Sequence, residues 1–269
     1  MVYRDLNAEN GNVTFWDEIA PVHYKSYNVE KLLNGGHLLD EIQVSELGSL
    51  TGKSILHLQC HIGTDSLSMA RLGASVVGID YSKESINIAE ALNEKLKLDA
   101  KFIYCNIYEI EKYINQTFDI VYTSQGVLCW LSDINEWARI VARFLDQNGF
   151  FYIMETHPLL YPLNDSGKTP LTVERSYFHN REPTKWDDDW PDYSDPNYIP
   201  ESPTFEWQWS ISDIINSLIS KGLKIDFIHE YKKLFYKAHA DMKKSEDGWW
   251  YLPKDKDLIP LMFTLKASK

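Results

Sequence analysis

The stretch HLQCHIGTD, residues 57–65, decides how this chain is read. The apolar run SILHLQC (54–60) leads into it. DSLSMARLGA follows, with Leu67, Ala70 and Leu72 at helical spacing and Gly73 as a stop. SVVGID (75–80) is then a second apolar run. Strand, loop, helix, strand is the unit from which an open parallel sheet is wound, and its first loop is where such a sheet holds a nucleotide. This loop has one glycine, Gly63, preceded at alternate positions by Gln59 and His61.

The same alternation continues outward. Ser82 caps a helix, SKESINIAEALNEKLKL, whose Ile86, Ala89, Leu92 and Leu96 form a stripe. KFIYCNI (101–107) and FDIVYTS (118–124) read as the third and fourth strands. Asp133 opens the helix INEWARIVARFL, which ends before Gly149, and FFYIME (150–155) is the fifth strand. These runs are continuously apolar rather than alternating, as strands buried on both faces are. Ser210 and Asp213, at capping-box spacing, open a helix closed by Gly222, and LKIDFIHEY (223–231) and LMFTLKA (261–267) supply two last strands. Ahead of the core, TFWDEIAPVHYKSY and HLLDEIQVSEL predict helices on either side of Gly35–Gly36.

Residues 157–206 break the pattern. They carry most of the chain's 11 prolines, which forbid regular helix or central strand, and an acidic cluster: Asp187, Asp188, Asp189, Asp192 and Asp195. A solvated charge run is the reading for Asp187–Asp189. The aromatic content, Trp186, Trp190, Tyr193 and Tyr198 among others, argues against disorder. Three parts result: an N-terminal helical segment (1–50), a core (51–157 and 205–269), and an insertion (158–204) expected to act as a lid.

Composition narrows the function. A 269-residue chain with 44% apolar residues buries a sizeable core, and a net charge of −12 without a basic patch opposes nucleic-acid binding. Cys60, Cys105 and Cys129 form no Cys-x-x-Cys pair and read as reduced, buried thiols. The polar MVYRDLNAEN has no apolar signal core, and no apolar run approaches the ~18 residues a membrane span needs. A cytoplasmic location without membrane partner is expected.

Two loop templates compete. A dinucleotide loop, G-x-G-x-x-G, needs glycine at 59, 61 and 64, and none is present; an adenosylmethionine loop, G-x-G-x-G, needs 59, 61 and 63, and Gly63 alone matches. The strand ends weigh more. Asp80, followed by Tyr81, ends the second strand, where a carboxylate accepts both ribose hydroxyls of an adenosine. Asn106 ends the third, placed to read an adenine amino group, and Ser124 and Gln125 end the fourth. His57 and His61 stand four apart, but the chain there passes from strand to loop, so no metal is expected and His57 reads as a core histidine under the loop.

ILHLQCHIGTDSLSMARLGASVVGIDYS together with FDIVYTSQGVLCWLSDINEWARIVARFLDQNGFFYIMETHP resembles the class I S-adenosylmethionine-dependent methyltransferases, and more narrowly a bacterial subgroup whose first motif reads LHLQCH-x-G-x-D. The resemblance covers about residues 50–157 and, less closely, the end of the chain. It implies a doubly wound, Rossmann-like α/β sheet of seven strands with the last antiparallel. It also implies that Asp80 holds the ribose, Asn106 and the Ile107 backbone the adenine, and the 59–63 loop the methionine end of S-adenosyl-L-methionine. The chain departs from the pattern at His57, Gln59, His61 and Asn106. Side chains at 59 and 61 disfavour the φ > 0 that glycine allows and fill space, so the loop is expected to bend differently or the cofactor to sit further away, with Gln59 and His61 offering side-chain hydrogen bonds in place of bare backbone.

Methyl transfer from a sulfonium needs alignment and a dry pocket, and a base only where the acceptor must lose a proton. The acceptor site is expected beyond the fourth and fifth strands. His157 and Glu155 are the catalytic candidates there, Trp130, Tyr161, Trp207 and Trp209 line the substrate, and Trp16, His23, Tyr24 and Tyr27 close the other side. Aromatic and acidic walls suit a small, cationic or amine substrate. Two other functions are alternatives: a protein that binds adenosylmethionine or adenosylhomocysteine without transfer, which the glycine-poor loop allows, and an NAD-dependent oxidoreductase, which the absence of glycine at 59, 61 and 64 opposes. The sequence is silent on oligomeric state.

Overall fold

The computed structural model describes residues 4–163, 172–187, 189–253 and 257–269. Its centre is a seven-stranded sheet of β1 (Ser54–Leu58), β2 (Ser75–Asp80), β3 (Ala100–Tyr104), β4 (Phe118–Ser124), β5 (Leu145–Thr156), β6 (Lys224–Tyr231) and β7 (Met262–Ser268), in the order β3-β2-β1-β4-β5-β7-β6. Strands β1 to β5 pair in parallel, and β7 runs antiparallel to both neighbours. The order reverses between β1 and β4, so their carboxyl ends open a crevice.

Helices cover both faces: α1 (Leu6–Ser26), α2 (Val29–Leu33), α3 (Glu41–Leu47), α4 (Thr64–Arg71), α5 (Lys83–Leu96), α6 (Ile134–Phe144) and α7 (Ile211–Ser220). Alternate strand residues face opposite ways. Leu56, Val121 and Phe151 pack with Trp137, Val141 and Leu218 on the α6–α7 side, while Ile55, Ile120 and Tyr152 pack with Met69 on the other. The caps read from the sequence are made. Ser82 accepts from Ser85 N, Asp133 from Asn135 N and Glu136 N, and Ser210 with Asp213 forms a capping box.

Three features differ from expectation. First, α1 starts at Leu6, capped by Asp5, rather than at residue 14. Its inward face is polar, with Glu9, Asn12 and His23 buried, so hydrophobic periodicity does not reveal it. Second, β1 stops at Leu58 because Gln59 turns left-handed, and β3 stops at Tyr104, leaving Asn106 as the cap of a 3-10 turn, Ile107–Lys112. Third, residues 233–251, to which the sequence assigns no element, form a small antiparallel ribbon of Lys233–Leu234, Lys243–Lys244 and Trp250–Tyr251.

The insertion is anchored rather than loose. Thr184–Trp186 pairs with Thr204–Glu206, and Asn12 of α1 exchanges two hydrogen bonds with the Phe205 main chain, at 2.7 and 2.8 Å. Glu18 accepts from Tyr198 Oη and from the N–H groups of Glu201 and Ser202. Asp187 is exposed and pairs with Lys185; Asp188 lies outside the described residues.

Candidate active site

The loop after β1 takes three left-handed turns at alternate residues: Gln59 (φ 55°), His61 (φ 48°) and Gly63 (φ 75°). The expectation that side chains at 59 and 61 would make the loop bend differently is corrected, because both accept the φ > 0 that glycine would supply. A non-glycine residue pays about 1–2 kcal/mol for this, and local bonds offset it. Gln59 Nε2 donates to Val127 O at 3.1 Å, and His61 N donates to Asp80 Oδ2 at 2.7 Å. His61 Nδ1 lies 2.9 Å from Ser85 Oγ. At Gly63 no side chain is tolerated, since a Cβ would stand 2.8 Å from Ala89 Cβ and from the Phe102 ring.

Around this loop lies a cavity of about 550 Å³ bounded by Gln59, His61, Asp80, Tyr81, Asn106, Ile107 and Ser124, the residues the sequence singled out. Asp80 also accepts from Ser82 N at 2.8 Å, which leaves lone pairs on each oxygen. Burial outweighs these donors and pushes its carboxyl up to about 6. Asn106 Oδ1 caps Tyr108 N, and its amide donates to Glu9. Ser124 Oγ donates to Asp65 Oδ2, as Tyr122 Oη does, both at 2.8 Å. Asp65, in the first turn of α4, also lines the cavity; its place in the LHLQCH-x-G-x-D motif was the signal for it. His57 is a core histidine, with Nδ1 at 2.8 Å from Ser66 Oγ. Gln59 Oε1 and His57 Nε2 are buried without a partner.

A second cavity, about 890 Å³, lies beyond β4 and β5 under the insertion, and Trp130, Tyr161, Trp207 and Trp209 all line it. Trp16, Gln125 and Trp130 line both cavities, so the two adjoin. Trp16 and Trp130 meet edge to face at 5.2 Å, and the Trp130 indole N–H donates to Gly126 O at 2.7 Å. Tyr27 lines the smaller cavity, whereas Tyr24 points to solvent.

The two catalytic candidates are brought to the larger cavity but are both engaged. Glu155 is buried and accepts from the N–H groups of Gly126, Val127 and Leu128 at 2.6, 2.7 and 3.1 Å. Its carboxylate therefore clamps the loop after β4. His157 Nδ1 accepts from Leu159 N at 3.1 Å, which puts the ring proton on Nε2, 2.9 Å from Glu230. Burial lowers its pKa against the pull of Glu230. The group the sequence reading missed is Glu206, on the insertion's ribbon. Desolvation in the cavity wall raises its carboxyl to about 7, against the Trp186 indole N–H and the Arg175 charge. Phe235, Tyr236 and Trp250 of the unforeseen ribbon also line the cavities.

Residues 56–153 match a family model described as "Methyltransferase domain". The match runs from within β1, through β2, β3 and β4, to most of β5. A stretch of 101 residues is 34% identical to the ubiquinone biosynthesis O-methyltransferase of Pelagibacter ubique, covering 37% of this chain and 40% of that one. A second stretch of 146 residues is 29% identical to the mitochondrial ubiquinone biosynthesis O-methyltransferase of Bos taurus, covering 52% and 39%. The chain thus spans about 40% of the length of these curated relatives. The chain superposes on the S-adenosylmethionine-dependent methyltransferase of Mesorhizobium loti with a TM-score of 0.61 at 18% identity, over 85% of this chain and 96% of that one. The fold is that of the S-adenosylmethionine-dependent methyltransferases: a seven-stranded Rossmann-like sheet with its last strand antiparallel. Among the described residues no helix is long and apolar enough to cross a membrane.

Proposed function

We propose that this protein transfers the methyl group of S-adenosylmethionine to a small-molecule acceptor, with the cofactor in the smaller cavity and the acceptor in the larger. One observation carries the reading: the cavity rimmed by Asp80 and the left-handed loop adjoins, at Trp16, Gln125 and Trp130, a second cavity lined by the insertion. The residues suit the cofactor. Cavities of about 300–1,000 Å³ hold ligands of this size. Asp80 keeps acceptor capacity for two ribose hydroxyls, and Gln59, whose Oε1 is buried without a partner, lines the same cavity.

When bound, the cofactor supplies an electrophilic sulfonium methyl group. The chain's part is to orient the acceptor and exclude water. Glu155 fixes the loop carrying Trp130, and Trp130 with Trp16 forms the partition across which acceptor and methyl donor meet. The insertion serves as the lid. His157 is bound at both nitrogens, so we assign the proton-accepting role to Glu206 instead, in a wall of Trp186, Trp207 and Tyr236. A carboxyl with a pKa of about 7 is matched to general-base work near neutral pH. Aromatic faces around a carboxylate favour an acceptor bearing a basic nitrogen.

Thermal shift with adenosylmethionine, adenosylhomocysteine and NAD, followed by turnover on amines, phenols, carboxylates and thiols, tests this. A ligand at 100 times its dissociation constant adds about 2.7 kcal/mol of stability. The expected result is stabilisation by the two adenosyl ligands and methylation of an amine that Glu206→Gln slows. Adenosyl binding with no acceptor turned over would identify a binding protein, and stabilisation by NAD alone an oxidoreductase.

A further inference from the structure

Three side chains distant in sequence form a buried line: His61 of the loop, His23 of α1 and Asp192 of the insertion. His61 Nε2 lies 2.9 Å from His23 Nδ1, and His23 Nε2 lies 3.2 and 3.3 Å from the two Asp192 oxygens. His23 is fully buried and Asp192 is 8% exposed. With His61 Nδ1 at 2.9 Å from Ser85 Oγ, four groups form one chain, at whose far end Asp192 Oδ1 also accepts from Ser194 N and Oγ. An ionised carboxylate only accepts, so with both rings neutral every direction is set. His23 Nε2–H donates to Asp192, His61 Nε2–H donates to His23, and Ser85 O–H donates to His61. Each ring nitrogen then has one partner. Aromatic rings sheathe the line: Trp16 and Tyr27 against His61 at 5.0 and 5.8 Å, Tyr27 and Tyr193 against His23 at 4.6 and 5.2 Å.

Such a line is a poor way to gain stability, because apolar side chains of the same volume pack as well without desolvating polar groups. What it does supply is a fixed relation between the segments it joins. His23 lines neither cavity, and Asp192 lines only the acceptor cavity. His61 lines the smaller cavity, and its own N–H holds Asp80.

We propose that His23 and Asp192 are positioning residues: docking of the insertion over the acceptor cavity holds, through the two imidazoles, the left-handed turn at His61 and with it the Asp80 carboxylate. The proposal rests on the reading of the smaller cavity as the cofactor site. Coupling is reciprocal, so cofactor binding also fixes the insertion.

The test measures adenosylhomocysteine affinity by calorimetry and amide exchange over residues 189–204, with and without that ligand, in the full chain. In the native protein the ligand should protect the segment. Asp192→Ala should weaken binding about tenfold, inside the usual 5- to 150-fold range of coupled sites, and abolish the protection. His23→Leu keeps the volume but leaves the Asp192 carboxylate to Ser194 alone and His61 Nε2–H without an acceptor, so it should melt lower than Asp192→Ala, yet lose affinity only to the same extent. His23→Gln, whose amide can both donate to Asp192 and accept from His61, should restore most of it. A merely structural role would make affinity follow the thermal midpoint in this set, and that result would overturn the proposal. So would native affinity and protection in Asp192→Ala and His23→Leu. Absence of adenosylhomocysteine binding by the native protein is a different outcome: it removes the cofactor reading and the proposal with it.

Discussion

Asp80 gives the sharpest prediction, because its carboxyl is held at about 6, above the 3.8 of an ordinary aspartate, chiefly by burial. Between pH 3.8 and 6 the native chain binds more protons at this site than the unfolded chain does. Asp80 therefore contributes stability that is complete below pH 3.8 and is lost as pH rises through about 6. Ligand binding has the opposite preference. Ribose hydroxyls donate best to the ionised carboxylate, so affinity scales with the ionised fraction. At pH 7.5 that fraction is nearly one; at pH 5 it is roughly a tenth, and the apparent dissociation constant for adenosylhomocysteine should rise about tenfold. Asp80→Asn should flatten this profile. At pH 7.5 it should weaken binding by about 10- to 150-fold, the equivalent of the ~1.5–3 kcal/mol carried by a hydrogen bond to a charged group. Calorimetric titrations at half-unit steps from pH 5 to 7.5 on both proteins measure all of this. A flat profile in the native protein, or the same slope in Asp80→Asn, would refute the reasoning.

Other predictions follow from the same geometry. Glu155→Gln leaves at least one of the N–H groups of residues 126–128 without an acceptor; a cost of about 2 kcal/mol should lower the thermal midpoint by about 4–8 °C, and an unchanged midpoint would show that the clamp is dispensable. His57 is depressed to about 4 by burial, against the charge of Asp65, so the unfolded chain takes up a proton at this site near pH 6.5 while the folded chain refuses it. Its contribution is full above pH 6.5 and is lost as pH falls toward 4, by about 3 kcal/mol; urea melts should show a shallower acid-side decline in His57→Leu than in the native protein. Gln59→Ala removes both the bridge to Val127 O and the orphaned acceptor, and should weaken adenosylhomocysteine several-fold in calorimetry; equal affinity would reject a ligand role for that side chain.

Much of this architecture could be read from local pattern. The apolar runs, the capping residues Ser82, Asp133 and Ser210, and the stop at Gly73 each act within a few residues of themselves, and each appears where the pattern puts it. Asp80, Asn106 and Ser124 were legible as a rim because parallel strands bring their carboxyl ends to one edge. Helix α1 was only half legible: its inward face is built of Glu9, Asn12 and His23, whose partners lie on Asn106, Ser132, Phe205 and His61.

The sequence by itself determined the order along the chain of the seven sheet strands and the placing of Asp80, Asn106 and Ser124 at the sheet's edge, since these depend on periodicity and on residues that cap their own helix. Tertiary structure alone decided that Gln59 and His61 turn left-handed, that Glu155 and His157 are engaged while Glu206 faces the larger cavity, and that the imidazole line reaches Asp192. The physical reason is range. A hydrogen bond between residues 38 or 169 positions apart leaves no periodic trace, and a left-handed turn at a non-glycine residue is held by its partners rather than by its own preference.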